Sequence, residues 1–159
     1  MTRYFAHSNK GDSSGWQPLE EHLASVAKLA AQFAAPFGGE DWAHLAGLWH
    51  DLGKYHPDFQ RKLRGESLRI VHSEAGGHLA SLKGWRTMDV ILSWLIMGHH
   101  AGLADYGAGD TGGKALEPKM RKPERSAPVL ANVPAAISDQ NPPAMPPLFA
   151  DQECFPDLA

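Results

Sequence analysis

From Leu19 to Met97 the apolar residues return at every third or fourth position and almost never at every second, so this stretch builds helices rather than a sheet. Leu19, Leu23, Val26, Ala30, Phe33 and Phe37 form one stripe. It is entered through Pro18 at the first helical position, has Glu20 and Glu21 in its first turn, and stops at Gly38-Gly39. A second helix starts at Asp41 as N-cap and carries Trp42, Leu45, Ala46, Trp49 and Leu52 before Gly53 ends it. Residues 65–70 read as loop. Ser73 caps a third helix over 74–83, and Thr87 caps a fourth in which Val90, Ile91, Trp94, Leu95 and Met97 are apolar nearly all round. That fourth helix is expected to be the most buried.

After Gly98 the chain changes character. Gly107, Gly109, Gly112 and Gly113 come close together, and nine of the 12 prolines lie beyond residue 114. A short turn is expected around 135–138, while Pro142-Pro143 and Pro146-Pro147 favour extended geometry. The 159 residues therefore read as an all-α domain over 1–106 and a Pro/Gly-rich irregular segment over 107–159. That segment is expected to lead into a missing or shortened C-terminal part of the domain.

Several classes are excluded early. Residues 90–97, the longest apolar run, are interrupted by Ser93 and too short for a membrane span, and no signal peptide is visible, so no membrane partner is expected. The single cysteine, Cys154, cannot form an internal disulfide, which fits a reducing, cytoplasmic setting. A net charge of -3 rules out a grip on nucleic acid through the whole surface, so any polyanion contact is local.

Nine histidines remain to be explained. Taken singly, each would be read as a satisfied polar side chain or an exposed helix end. Their placement argues otherwise. His22 lies mid-helix on the side shared with Val26 and Leu29, where a buried ring needs a partner. His50-Asp51 ends the second helix with Lys54 close behind, His72 precedes the Ser73 cap, and His99-His100 follows the fourth helix. Four separate segments thus supply imidazoles near element ends, as in helical domains that build a metal site in their interior.

The ordered set His22, His50-Asp51-x-Gly53-Lys54, His72-Ser73-x-x-Gly76 and His99-His100 resembles the HD superfamily of metal-dependent phosphohydrolases. More narrowly, it resembles the HD nuclease domain of the CRISPR-associated protein Cas3. Ala6-His7-Ser8, the run Leu45-Ala46-Gly47-Leu48-Trp49, Phe59-Gln60 and His99-His100-Ala101-Gly102-Leu103 carry that closer likeness, which covers about residues 4–106. The resemblance implies an HD-domain helical bundle and a centre of two divalent ions of the Mn, Ni, Co, Fe or Mg type; the donor chemistry alone would also admit Zn. It implies that His22, His50 and Asp51 hold the first ion, that Asp51 bridges to the second, and that His72, His99 and His100 complete it. Asp51 and Lys54 are the implied catalytic residues, Lys54 adding positive charge beside the phosphate. The implied substrate is single-stranded DNA in antiviral defence. The implied partners are a Cas3-type helicase domain or subunit and a CRISPR surveillance complex, since no phosphate-binding Gly-x-x-x-x-Gly-Lys motif is present.

One departure stands out. The later helix on which the family places a last Asp has no counterpart, and Asp105, Asp139, Asp151 and Asp157 all lie outside an apolar helical context. Two other readings therefore stay open: an HD phosphohydrolase for a small nucleotide, and a non-catalytic interaction module with an incomplete metal centre. His44, His56 and His78 are expected to be non-ligands, and His7 to sit at the rim of the site. Trp42, Trp49 and Trp94 are expected in the core. Lys114, Lys119, Arg121, Lys122 and Arg125 form a locally basic cluster, read first as a solvated loop and second as a clamp on single-stranded DNA. Asp51→Ala is expected to abolish cleavage and leave the fold intact.

Overall fold

The computed structural model describes residues 3–9, 13–100, 102–105, 107 and 115–146. Strand β1 (Phe5–His7) pairs antiparallel with β2 (Gln17–Pro18), Phe5 facing Pro18 and His7 facing Gln17. Pro18 thus closes a strand rather than opening a helix. It lacks an N–H to lose at a sheet edge, and its extended backbone makes it the N-cap of α1 (Leu19–Ala34).

Helix α1 and helix α2 (Glu40–Trp49) pack together at Gly47, where a Cβ would lie 2.7 Å from the Cα of Ala27; only a glycine lets the two backbones come so close. This crossing selects the core line of α1. Leu19, Leu23, Ala27 and Ala34 are buried, whereas Phe33 and Phe37, expected in the stripe, are 72% and 66% exposed. Phe33 projects about 100° around the helix from Ala34, away from α2. Helix α2 begins one residue before its expected cap, on Gly39, and buries Trp42, Leu45 and Trp49. It ends at Trp49, and a 3-10 turn over Leu52–Tyr55 follows, all four of its residues buried.

A helix with no strong sequence signal comes next. In α3 (Pro57–Leu63) the His56 side chain accepts the Asp58 N–H at 3.0 Å, so an imidazole does the capping work usually done by Ser, Thr, Asp or Asn. Helix α4 (Ala75–Ser81) is shorter than expected and starts from Glu74 rather than Ser73. Helix α5 (Thr87–Gly98) faces the core with a different side from the one expected. Met88, Asp89, Leu92, Ser93, Ile96 and Met97 are buried, Val90, Ile91 and Trp94 are half-buried, and Leu95 is exposed. Two polar residues enter the core because each is satisfied there. Asp89 accepts the Trp85 N–H at 3.0 Å, and Ser93 Oγ donates to the Gly77 carbonyl at 2.7 Å.

The described part of the Pro-rich segment contains α6 (Leu116–Met120), α7 (Ala127–Leu130) and α8 (Ala135–Ser138), the last where a short turn was expected. Leu116, Val129, Val133 and Ile137 are buried. Side chains from the helical part pin this segment through its backbone carbonyls. Trp49 Nε1 donates to Ile137 at 2.8 Å and Trp42 Nε1 to Ala144 at 2.7 Å. The fully buried His78 spans Ser126 Oγ at 2.7 Å and the Lys119 carbonyl at 2.8 Å. Apart from its two short strands, the described fold is all-α, and no described helix is long and apolar enough to cross a membrane.

Candidate metal centre

Asp51 lies at the junction between α2 and the following 3-10 turn, and only 3% of its surface is exposed. Around its carboxylate the four histidine-bearing segments meet. His22 Nε2 and His50 Nε2 stand 3.2 and 3.0 Å from Oδ2, and 3.2 Å from each other. On the other oxygen, His99 Nε2 is 3.6 Å and His72 Nε2 3.8 Å from Oδ1. His100 closes this side, its Nε2 2.8 Å from that of His72. The donor atoms fall into two groups, His22, His50 and Asp51 on one side and Asp51, His99 and His100 on the other, each within 4.8 Å, with Asp51 common to both.

The chemistry of these atoms calls for a cation. His50 Nδ1 lies 2.7 Å from the Gly47 carbonyl and His99 Nδ1 2.5 Å from the Ile96 carbonyl. A carbonyl only accepts, so Nδ1 holds the proton and, in the neutral ring, Nε2 offers a lone pair. Both lone pairs face the Asp51 carboxylate, itself an acceptor, so a proton or a metal ion must mediate between them. Burial alone would raise the Asp51 carboxyl. Hydrogen bonds from His22 and His50, with His99 close by, outweigh burial and hold it well below the usual carboxylate range. Burial likewise lowers His72 to about 4, against the attraction of Asp51 and with help from His100, Lys54 and His99, which keeps its ring neutral at physiological pH. Burial and then His99 lower His100. His99 goes the other way: burial would lower it, but Asp51 and the Ile96 carbonyl raise it.

Within the centre, two buried polar atoms, Asp51 Oδ1 and His72 Nδ1, lack a hydrogen-bond partner among the described residues. An unsatisfied buried carboxylate oxygen costs roughly 1–3 kcal/mol or more, and it is the one facing His72, His99 and His100. The set of imidazoles and one shared carboxylate fits divalent metal ions of the Mn, Fe, Co, Ni or Zn type.

Lys54 is not free beside a substrate phosphate as expected. It is 4% exposed, with Nζ 2.7 Å from Asp51 Oδ2 and 3.2 Å from the Ala6 carbonyl. Its charge is spent on Asp51. Gln60 holds β1 in place for this contact: its amide accepts the Phe5 N–H at 3.0 Å and donates to the Phe5 and Lys54 carbonyls at 3.0 and 2.8 Å. Sequence reading singled out Ala6-His7-Ser8 and Phe59-Gln60 without this physical reason. His7 lies next to His22, ring centroids 5.0 Å apart, at an exposed edge. Gly53 admits the last segment, since a Cβ there would lie 2.1 Å from the His72 carbonyl oxygen.

The remaining histidines are accounted for elsewhere: His44 is exposed, His56 caps α3, and His78 tethers the C-terminal segment. Of the basic cluster, Arg121, Lys122 and Arg125 are exposed, Arg121 pairs with Glu117, and Lys114 lies outside the described residues. Among the described residues Asp51 is the one carboxylate in either donor group. Asp105 and Asp139 are exposed and belong to neither, and Asp151 and Asp157 lie outside the described residues.

The HD domain matches residues 19–131, more than two thirds of the chain, and the chain belongs to this family. A comparison with curated proteins finds no significant match. Family and donor set agree on a metal-dependent phosphohydrolase class of activity.

Proposed function

We propose that this chain is a CRISPR-associated, Cas3-type HD nuclease that cleaves single-stranded DNA in the cytoplasm, using two divalent ions. A helicase domain or subunit and a surveillance complex would deliver the strand. The observation that carries the reading is the convergence of five imidazoles on one shared carboxylate at an open edge. The side chains of His22, His50, His72 and His99 are 14 to 21% exposed, so the donors are reachable from solvent rather than sealed in a closed pocket. A closed, base-specific wall would suit a small nucleotide; an accessible edge suits a polymer. The residues that distinguish the Cas3-like pattern also work together here, Ala6 receiving Lys54, Gln60 clamping Phe5, and the Phe59 ring lying 5.0 Å from that of His72.

His22, His50 and Asp51 would hold one ion, and Asp51, His72, His99 and His100 the other. Such ions supply Lewis acidity and an activated water and neutralise the oxygens of a phosphodiester under attack. The protein's own contribution is orientation. The Gly47 and Ile96 carbonyls fix the rings of His50 and His99, and Lys54 balances Asp51, so that the donors are preorganised.

Protein loaded with Mn or Ni is expected to cut linear and circular single-stranded DNA with little sequence preference and to leave intact duplex nearly untouched. A duplex must first be melted, and this chain shows no motor motif to do it. Side-by-side rates on circular single strands, duplex and mononucleotides at equal phosphate concentration test this. Faster turnover of a mononucleotide or signalling nucleotide would replace the nuclease reading with the small-nucleotide one. Failure to retain ions and to cut any of them would make the chain an interaction module.

A further inference from the structure

The charge around the centre is lopsided. On one side, α1, which supplies His22, opens with two exposed carboxylates, Glu20 and Glu21, immediately before that histidine. On the other side, α3 and the loop leading to His72 carry Arg61, Lys62, Arg64 and Arg69 against the single acidic Glu66 across residues 61–69, in a chain whose net charge is -3. All four are exposed. Arg61 is occupied, its guanidinium held by Asp58 at 2.9 Å and Glu66 at 2.6 Å, which also fixes the turn of the loop around Gly65. Among the described residues, Lys62, Arg64 and Arg69 form no such ion pair.

This strip runs directly into the centre. The Phe59 ring at the start of α3 lies 5.0 Å from the His72 ring, and Arg69 precedes His72 by three residues, so their Cα atoms are separated by at most about 11 Å. Between them stands Val71, 72% exposed, and three residues after His100, whose ring lies against that of His72, Leu103 is 60% exposed. Apolar side chains in water next to cations suit a ligand that presents both phosphates and uncovered base faces. A duplex hides its bases and a mononucleotide is too short to span the strip, whereas a single strand offers both along its length.

We propose that a single strand of nucleic acid enters the centre over α3 and the loop before His72, with Lys62, Arg64 and Arg69 on its phosphates and Val71 and Leu103 against its bases. This path rests on the nuclease reading but is tested apart from it. In the double variant Arg64→Glu/Arg69→Glu, binding of a fluorescein-labelled oligothymidylate, followed by anisotropy across a series of salt concentrations, is expected to weaken by about 10-fold or more. The slope of log K against log salt should become shallower by about 1.4, the release expected for two lost single-strand phosphate contacts. Turnover of the oligonucleotide should fall at least about 10-fold more than that of bis(p-nitrophenyl) phosphate, a diester too small to reach the strip. The control Arg121→Glu/Arg125→Glu should bind like the wild type. Metal content and urea midpoint of each variant establish that the centre and fold persist. Unchanged affinity and salt slope in the first variant, or a loss confined to the control, would overturn the path, even if bis(p-nitrophenyl) phosphate is hydrolysed normally. If the wild type hydrolyses neither diester, the nuclease reading fails, and the binding data still decide the path.

Discussion

Asp51→Ala is expected to lower metal-dependent phosphodiester hydrolysis by about 1,000-fold or more, beyond the 10–100-fold typical of losing a group that merely supports a ligand. Asp51 is the one carboxylate shared by both donor groups, so its loss removes a donor from each. The structure also revises the expectation that the fold would be left untouched. Lys54 is buried against Asp51, with the Ala6 carbonyl and the face of the Phe59 ring, 5.6 Å from its Nζ, as further contacts, and alanine at 51 leaves its ammonium without a counter-charge. Breaking one side of a buried ion pair costs about 3–5 kcal/mol. The double variant Asp51→Ala/Lys54→Met removes both charges and should regain most of that stability in urea unfolding while regaining no activity. Full hydrolysis by either variant, under conditions where chelator silences the wild type, would remove Asp51 from the centre.

Gly53→Ala is expected to be nearly as severe for a different reason. The added Cβ would lie 2.1 Å from the His72 carbonyl oxygen, 2.5 Å from its Cα and 2.6 Å from its carbonyl carbon. None of these is the end of a flexible side chain, so the backbone carrying His72 must retreat by an ångström or so. Overpacking against such a wall costs about 3 kcal/mol. A displacement of about 1 Å at a reacting centre costs about 100-fold in rate. Urea unfolding and hydrolysis should both register the change. Wild-type behaviour in both would mean that the tight Gly53–His72 approach does not position the centre.

The site was more legible in the sequence than the core that supports it. His22, His50, Asp51, His72, His99 and His100 stand out because their ordered spacing resembles the HD pattern, and the structure brings all six within a few ångströms. Helical periodicity located α1, α2 and α5 and read the buried face of α2, but misassigned the end of the α1 stripe and the face of α5. An almost uniformly apolar helix such as α5 has no stripe to read, and Asp89 and Ser93 turn inward only because Trp85 and Gly77 satisfy them. Phe33 and Phe37 continue the helical stripe to the point where the chain reverses at Gly38, a residue with φ of 71°, and both rings stay exposed. The packing of residues after 115 rests on indole and imidazole groups reaching backbone carbonyls, and such bonds leave no periodic trace. Lys54 was read as a phosphate contact because its neighbours suggested chemistry; burial, which assigns its charge to Asp51, shows only in three dimensions.

The central claim is that the imidazoles around Asp51 form a divalent-metal centre. Metal content after equilibration with Mn or Ni and desalting, measured by inductively coupled plasma mass spectrometry across pH, tests it most directly. His99 has its pKa raised by Asp51, so on acidification protons displace the ion there sooner than an unperturbed imidazole would allow, while His72 stays neutral down to about 4. The account predicts two ions per chain near pH 8, falling progressively below about pH 6.5, and a lower content in Asp51→Ala at every pH. No ion retained by the wild type near pH 8, or the same content in Asp51→Ala, would contradict it.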